Sequence, residues 1–353
     1  MEAGDDIIFE RRGAAGLVTL NRPKALNAVT HAMVRALRAQ LDAWADDPAI
    51  TRVVITAAGE RAFSAGGDIR ALADLGKAGH YDEALQFWRD EYPLNAAIKR
   101  FRKPYVALID GIVMGGGVGV SVHGSHRVAG DRFSFAMPEV GIGFFPDVGA
   151  TWFLPRMPGE LGAYCALTGE RFAIGDGLAV WIATHRIPSA RFPALLEGLS
   201  GTIAVDAVLA AFAEPADDGP IMQRKDAVDR LFKGERVEDI LAALDREAAF
   251  GGTDADWAGK TAATIRTKSP VSLKIALAQV RRGGAFDFET CMRTEFRIVS
   301  RVIRRHDFYE GVRAVIVDKD NQPRWQPPSL GEVSAAEVER HFAPLGRDEL
   351  RLP

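Results

Sequence analysis

Two glycine-rich turns and two carboxylates are the groups in this chain best able to do chemistry together. The stretch FSAGGDIRAL puts Ala65, Gly66 and Gly67 between a strand-like run and a helix start near Asp68. The stretch GIVMGGGVGVS puts Gly115, Gly116 and Gly117 directly after the apolar run Tyr105 to Asp110. Small residues at such junctions let a ligand approach the backbone closely, and amides at a helix start can donate to developing negative charge. Two turns of this kind predict a two-donor oxyanion hole. Further along, MPEVGIGFFPDVG supplies Glu139 and Asp147 as an acid–base pair. The predicted chemistry is attack on a carbonyl or acyl group.

Other chemistries fit the residues less well. His123 and His126 have no partners at metal-ligand or triad spacing. Ser64 and Ser121 do not stand in a G-x-S-x-G elbow, and GGDIR has no following GK[ST] of a phosphate loop. Glu91, beside Tyr92 in an apolar helical stripe, reads from its neighbours alone as a solvated surface residue. Asp147 follows Pro146, which places it in a first helical turn where it would also serve as a cap.

The elements that must position these groups alternate in the front half of the chain. Ile7 to Phe9 and Leu17 to Leu20 read as strands, and Thr30 caps a helix carrying Met33, Val34, Leu37, Leu41 and Trp44 at helical spacing. Arg52 to Thr56, Tyr105 to Asp110 and Arg132 to Ala136 read as further strands, with a helix over Glu83 to Lys99. Val118, Val120 and Val122 alternate like a strand between glycines that equally suit a close-packed helix. The back half reads as helices, including Ser200 to Phe212, Val237 to Phe250, a helix capped by Ser269 with Pro270 at its first position, and a long one over Phe288 to His306. A turn at Gly311 and a short apolar run, Val312 to Val317, follow. The expected class is α/β, with a core over residues 1–190 and a helical region over residues 191–353.

The chain of 353 residues has a formal net charge of -3, which gives no basic footprint for nucleic acid. Its two cysteines, Cys165 and Cys291, lie far apart, which argues for a reducing compartment and against a disulfide scaffold or structural zinc. The first residues start acidic and carry no long apolar run, so no signal peptide or membrane span is expected and the cytoplasm is the expected location.

The stretches NRPKALNAV, FSAGGDIRAL, GIVMGGGVGVS and MPEVGIGFFPDVG resemble the crotonase, or enoyl-CoA hydratase/isomerase, superfamily. FPDVGATWFLPR and DFYEGVRAVIVDKDNQPRW resemble its branch that hydrolyses 3-hydroxyisobutyryl-CoA. The resemblance implies a spiral of strand-strand-helix repeats with a helical region completing the substrate site. It implies a thioester oxygen held by the Gly67 and Gly116 amides. Hydratases of the family use two glutamates; the position of the first is Gly119 here, while the second is kept as Glu139. Asp147 and Glu91 match acidic residues of the hydrolase branch. Glu139 then acts on the thioester as nucleophile or as base for water, Asp147 binds the substrate hydroxyl or orients water, and Glu91 holds the substrate or assists proton transfer.

Coenzyme A enters as part of the substrate, with no prosthetic group or metal. Lys24 and Arg22 are expected near its phosphates, Lys24 being the better placed, and the backbone of Ala65, Gly66 and Gly67 along its pantetheine. The implied activity is hydrolysis of a short 3-hydroxyacyl-CoA in valine degradation. An enoyl-CoA hydratase or isomerase and a non-catalytic acyl-CoA-binding protein stand as alternatives. Family relatives form trimers or pairs of trimers, so a homo-oligomer is expected, with no membrane partner.

Overall fold

β-Branched and aliphatic runs bounded by glycine turns become strands, and amphipathic runs behind capping side chains become helices. The computed structural model describes residues 4–352, and the chain divides into two units by its internal contacts. The first unit comprises the chain up to Asp68, Asp90–Ala136 and Arg171–Gln223. It contains the strands β1 (Ile7–Arg12), β2 (Ala15–Leu20), β3 (Arg52–Ala57), β4 (Ala62–Ser64), β5 (Tyr105–Ile109), β6 (Ile112–Met114), β7 (His126–Ala129), β8 (Ser134–Ala136) and β9 (His185–Arg186).

β1 and β2 pair as an antiparallel hairpin, and the larger sheet then continues in parallel in the order β1-β2-β3-β5-β7-β9. A smaller parallel sheet has the order β4-β6-β8. After the β1–β2 hairpin, each of the pairs β3/β4, β5/β6 and β7/β8 sends its first strand to the large sheet and its second to the small one, as the expected strand-strand-helix repeats require. Every residue of β5 is buried, as a parallel strand covered on both faces requires. Val54 pairs with Val106 and Leu108 with Val128 across the large sheet, and these side chains pack on Leu195, Leu199, Val208 and Leu209. The register fixes where each strand ends, and so where each glycine turn begins.

The second unit comprises Ile69–Arg89, Met137–Glu170 and the chain from Arg224 onward. It is helical, with Leu161–Thr168, Val237–Phe250, Ala255–Arg266, Pro270–Gly283, Phe288–Val302, His306–Val312 and Ala335–Phe342 among its elements. The Ser269 hydroxyl accepts from the Ser272 amide at 3.2 Å, and in the first unit the Thr30 hydroxyl accepts from Met33 at the same distance, so both caps read from sequence are present. Among the described residues no helix is long and apolar enough to cross a membrane.

Several boundaries differ from the sequence reading. The helix expected over Ser200 to Phe212 is two helices, Phe192–Ser200 and Val205–Phe212, because Gly201 turns the chain into an extended conformation between them. The one expected over Phe288 to His306 ends at Val302, and Gly311, read as a turn, lies inside the next helix. A side chain there would meet the Ile142 backbone carbon at 2.2 Å, so a packing demand keeps the glycine. The apolar run after it winds as a π-helical turn, Arg313–Val317.

Candidate active site

The first unit builds an amide cradle. Strand β4 ends at Ser64, and Gly66 follows with φ of +121°, a backbone angle that side chains rarely adopt. This turn is pinned from outside. Val29 donates to the Gly66 carbonyl at 2.9 Å, Asp68 donates back to Val29 at 3.0 Å, and Ala65 donates to Leu26 at 3.0 Å. Opposite, strand β6 runs into Gly115 and the helical turn Gly116–Gly119, so the valines after the triplet do not continue as a strand. A Cβ added at Gly116 would lie 3.1 Å from the Gly67 nitrogen, and one at Gly117 would lie 2.5 Å from the Ser64 carbonyl oxygen. The two turns touch backbone to backbone. Among the described residues neither the Gly67 nor the Gly116 amide has an acceptor, so both donors are available to a ligand.

Glu91 belongs to this cradle. It is 1% exposed, against the surface position its neighbours in sequence suggested, and its Oε1 would stand 3.0 Å from a Cβ at Gly116. The helix Tyr81–Lys99 buries residues around most of its circumference, so a polar residue there gains no exposure from its position. One turn further on, Asn95 is fully buried and its side-chain amide has no hydrogen-bond partner among the described residues.

The loop before the cradle separates the two cations proposed for the cofactor end of the substrate. Arg22 donates to the Ala28 carbonyl at 2.7 Å and to Asp68 at 3.2 Å, and its Nε lies 3.4 Å from Asp6. Its charge is spent on holding the loop. Lys24 is exposed and lines a hollow of about 240 Å³ together with Asn27, Gly59 and Arg61. Arg61 is a second cation there, which the sequence reading did not single out.

The second unit builds a carboxylate cluster. Glu139 opens a short helical turn, Glu139–Ile142, and is 7% exposed; its Oε2 carries no hydrogen bond among the described residues. Burial pushes its carboxyl well above the ordinary range, the neighbouring Asp147 charge adds to this, and its own backbone amide opposes it. Its charge in turn helps raise the Cys165 thiol, which burial alone already pushes up. A cysteine so placed is a packed hydrophobe beside the carboxylate.

Asp147 is 5% exposed and lies two residues before the capping position of the helix it was expected to cap, since that position is Gly149 and the helix is Ala150–Phe153. Between them Val148 has φ of +50°, a conformation that is costly for a β-branched residue. The turn is held from below by Glu295, whose two oxygens accept from the Gly149 and Thr151 amides at 2.8 Å each. Gln279 adds hydrogen bonds to the Pro146 carbonyl at 2.5 Å and the Thr151 hydroxyl at 2.7 Å.

Glu295 and Gln279 were missed in the sequence reading. A signal for the first existed. Phe288, Met292, Glu295, Val299 and Val302 form one buried stripe of the helix Phe288–Val302, and a carboxylate in an apolar stripe asks for a polar partner inside. Burial and the Asp147 charge push Glu295 up to about 8, against the two amide hydrogen bonds and that of Thr151. Of the sequence-derived site residues, Gly66, Gly67, Gly116 and Glu91 come together in the first unit and Glu139 and Asp147 in the second. Arg22 is engaged elsewhere. Among the described residues no group of three or more His, Cys, Asp or Glu side chains is placed to hold a metal ion.

These features meet a well-defined set of relatives. The family model described as enoyl-CoA hydratase/isomerase matches residues 15–342. The mitochondrial 3-hydroxyisobutyryl-CoA hydrolase of Danio rerio is 44% identical, covering 99% of this chain and 93% of that one. Its human counterpart is 40% identical, covering 99% and 92%. Among solved structures, a carnitinyl-CoA dehydratase from Mycobacterium thermoresistibile superposes with a TM-score of 0.92 at 42% identity, covering 99% of both chains. An enoyl-CoA hydratase from Rhodobacter sphaeroides gives 0.91 at 38%, covering 98% of this chain and 100% of that one.

One expectation is overturned: the names of these hydrolase relatives place them in mitochondria, against the cytoplasmic location read from composition. The lack of an apolar N-terminal run speaks only to secretion and membrane insertion, because organelle import uses amphipathic segments instead. The chain belongs to the enoyl-CoA hydratase/isomerase family and is an enzyme of crotonase-type chemistry acting on an acyl-CoA thioester.

Proposed function

We propose that this enzyme hydrolyses 3-hydroxyisobutyryl-CoA, or a closely related short 3-hydroxyacyl-CoA, to the free hydroxy acid and coenzyme A. The observation that carries the reading is at Gly119. Hydration of an enoyl-CoA asks for two carboxyl groups across the double bond, and the position that resembles the first of them has no side chain, inside the buried helical turn Gly116–Gly119. Glu139 remains, buried and with its proton affinity raised, which makes its ionised form a stronger nucleophile or base. The names of the relatives at 40–44% identity support the hydrolase.

In this reading the Gly67 and Gly116 amides take the thioester oxygen as negative charge develops on it. Glu139 acts at the carbonyl carbon. As nucleophile, its oxygen bonds to the acyl carbon, the C–S bond breaks, and the coenzyme leaves as thiolate; water then cleaves the anhydride and returns the carboxylate. As base, Glu139 takes a proton from the attacking water instead. Asp147 receives the substrate hydroxyl or orients water, and Glu91 holds the acyl end or assists proton transfer. Lys24, with Arg61 beside it, faces the phosphates of the coenzyme. The Ala65, Gly66 and Gly67 backbone lies along its pantetheine.

The names of the two solved relatives favour a hydratase or dehydratase as the second reading. The test follows free-thiol release from 3-hydroxyisobutyryl-CoA and hydration of crotonyl-CoA in parallel. Thiol release with little hydration supports the hydrolase. Hydration without thiol release overturns it and means that another acid replaces the one absent at Gly119.

A further inference from the structure

The turn that carries Asp147 is strained and is held by side chains that the proposed reaction leaves without a role. Val148 and Gly149 both have positive φ, +50° and +91°. A left-handed valine persists only where the surroundings over-determine it. Here they do: Glu295 fixes the Gly149 and Thr151 amides, and Gln279 fixes the Pro146 carbonyl and the Thr151 hydroxyl, so the turn is clamped on both sides of Asp147. Glu295 is 0% exposed, and a carboxylate is a demanding choice for that position. An amide in its place would supply one acceptor for two backbone donors.

We propose that Glu295 is a positioning residue for the active-site carboxylates: by accepting from the Gly149 and Thr151 amides it clamps the strained turn and fixes the direction of Asp147. This rests on Asp147 acting in the thioester reaction. The titratable groups that act with Glu295 are Asp147 on the turn and Cys291 one helical turn back on its own helix, with Glu139 next to Asp147. The clamp uses both Glu295 oxygens as acceptors and is complete when this carboxyl, pushed up to about 8 by burial and the Asp147 charge, is ionised.

The test compares Glu295→Gln and Glu295→Asp with the wild type. For Glu295→Gln we expect kcat to fall about 10- to 100-fold, the loss that a misplacement near 1 Å brings, with KM within about threefold. The wild-type kcat profile is expected to show an inflection near pH 8 that Glu295→Gln lacks and Glu295→Asp keeps. Retention of the inflection in Glu295→Gln, its absence from the wild type, or kcat within about threefold of wild type overturns the inference.

A second arm needs no substrate. The wild-type Tm should fall between pH 5 and pH 8 in part because Glu295 ionises more readily unfolded than folded, and the fall should be smaller in Glu295→Gln. An unchanged fall refutes the assignment of the pH 8 inflection to Glu295 even if the wild type releases no thiol, so failure of the substrate reading and failure of this inference remain distinct. Should Glu295→Gln not fold, Glu295→Asp decides: reduced kcat with the inflection kept supports the clamp, and unchanged kcat refutes it.

Discussion

Replacement of Gly116 by alanine probes the amide cradle without removing any acid from the protein. The position has no positive φ, so alanine is conformationally admissible. The added methyl would stand 3.1 Å from the Gly67 nitrogen and 3.0 Å from the Glu91 oxygen. An oxygen accepting from Gly67 needs to lie about 2.7–3.1 Å from that nitrogen, so the methyl crowds the space of the thioester oxygen. Relief requires a shift of a few tenths of an ångström, and the movable partner is the Glu91 side chain.

The fold should therefore lose only about 1 kcal/mol. Loss of one donor in the transition state costs about 3–4 kcal/mol, or roughly 10²- to 10³-fold in kcat. The assay is thiol release at saturating substrate, with urea unfolding of the same samples and Ki for a thioether analogue of the substrate that lacks the carbonyl. We expect kcat to fall by that factor while Ki for the thioether stays within about threefold. A variant that folds normally and keeps kcat within about threefold of wild type would sink the oxyanion role of the Gly67 and Gly116 amides.

Glu139→Gln should lower kcat by about 10³-fold or more. The same change should raise Tm at pH 8: Glu139 is raised well above its unfolded value, so its contribution to stability is present at low pH and lost as pH rises. Thermal melts at pH 5 and pH 8 check the sign. In Asp147→Asn the charge that helps raise Glu139 is gone, so the acid limb of kcat/KM should move to lower pH even as the rate falls; a limb moving upward contradicts the pairing. Lys24→Ala should raise KM by about threefold to tenfold with kcat unchanged, an effect shrinking as salt rises, because an exposed cation facing phosphate is screened. Titration of KM against ionic strength in both proteins measures it.

Much of the fold was readable because it is set by short-range patterns. The glycine triplet, the strand Tyr105–Ile109 and the caps at Thr30 and Ser269 each follow from residues within one or two turns of one another. Glu139 and Asp147 were identifiable as candidates by type and by resemblance. The amide cradle was legible for the same reason: a strand that ends in small residues beside a helix start leaves donors exposed whatever else surrounds it.

What the sequence could not supply is the environment of each polar group. Glu91 reads as a surface residue from its neighbours, yet it is buried, with its Oε1 against the Gly116 turn that follows it in the chain. Lys24 already ranked ahead of Arg22 in one dimension, but what engages Arg22 is visible only when Asp6 and Asp68 are brought up to it. Glu295 stands 148 residues beyond Asp147 in the numbering, and only packing of the helix Phe288–Val302 under the turn makes it a partner. The sequence by itself determined the repeats, the glycine turns and the kinds of group available for chemistry, since these depend on local sterics and periodicity. Only the tertiary structure decided which carboxylates are desolvated, which are clamped and which cation is free for a ligand, because desolvation and Coulomb coupling depend on distances that folding alone creates.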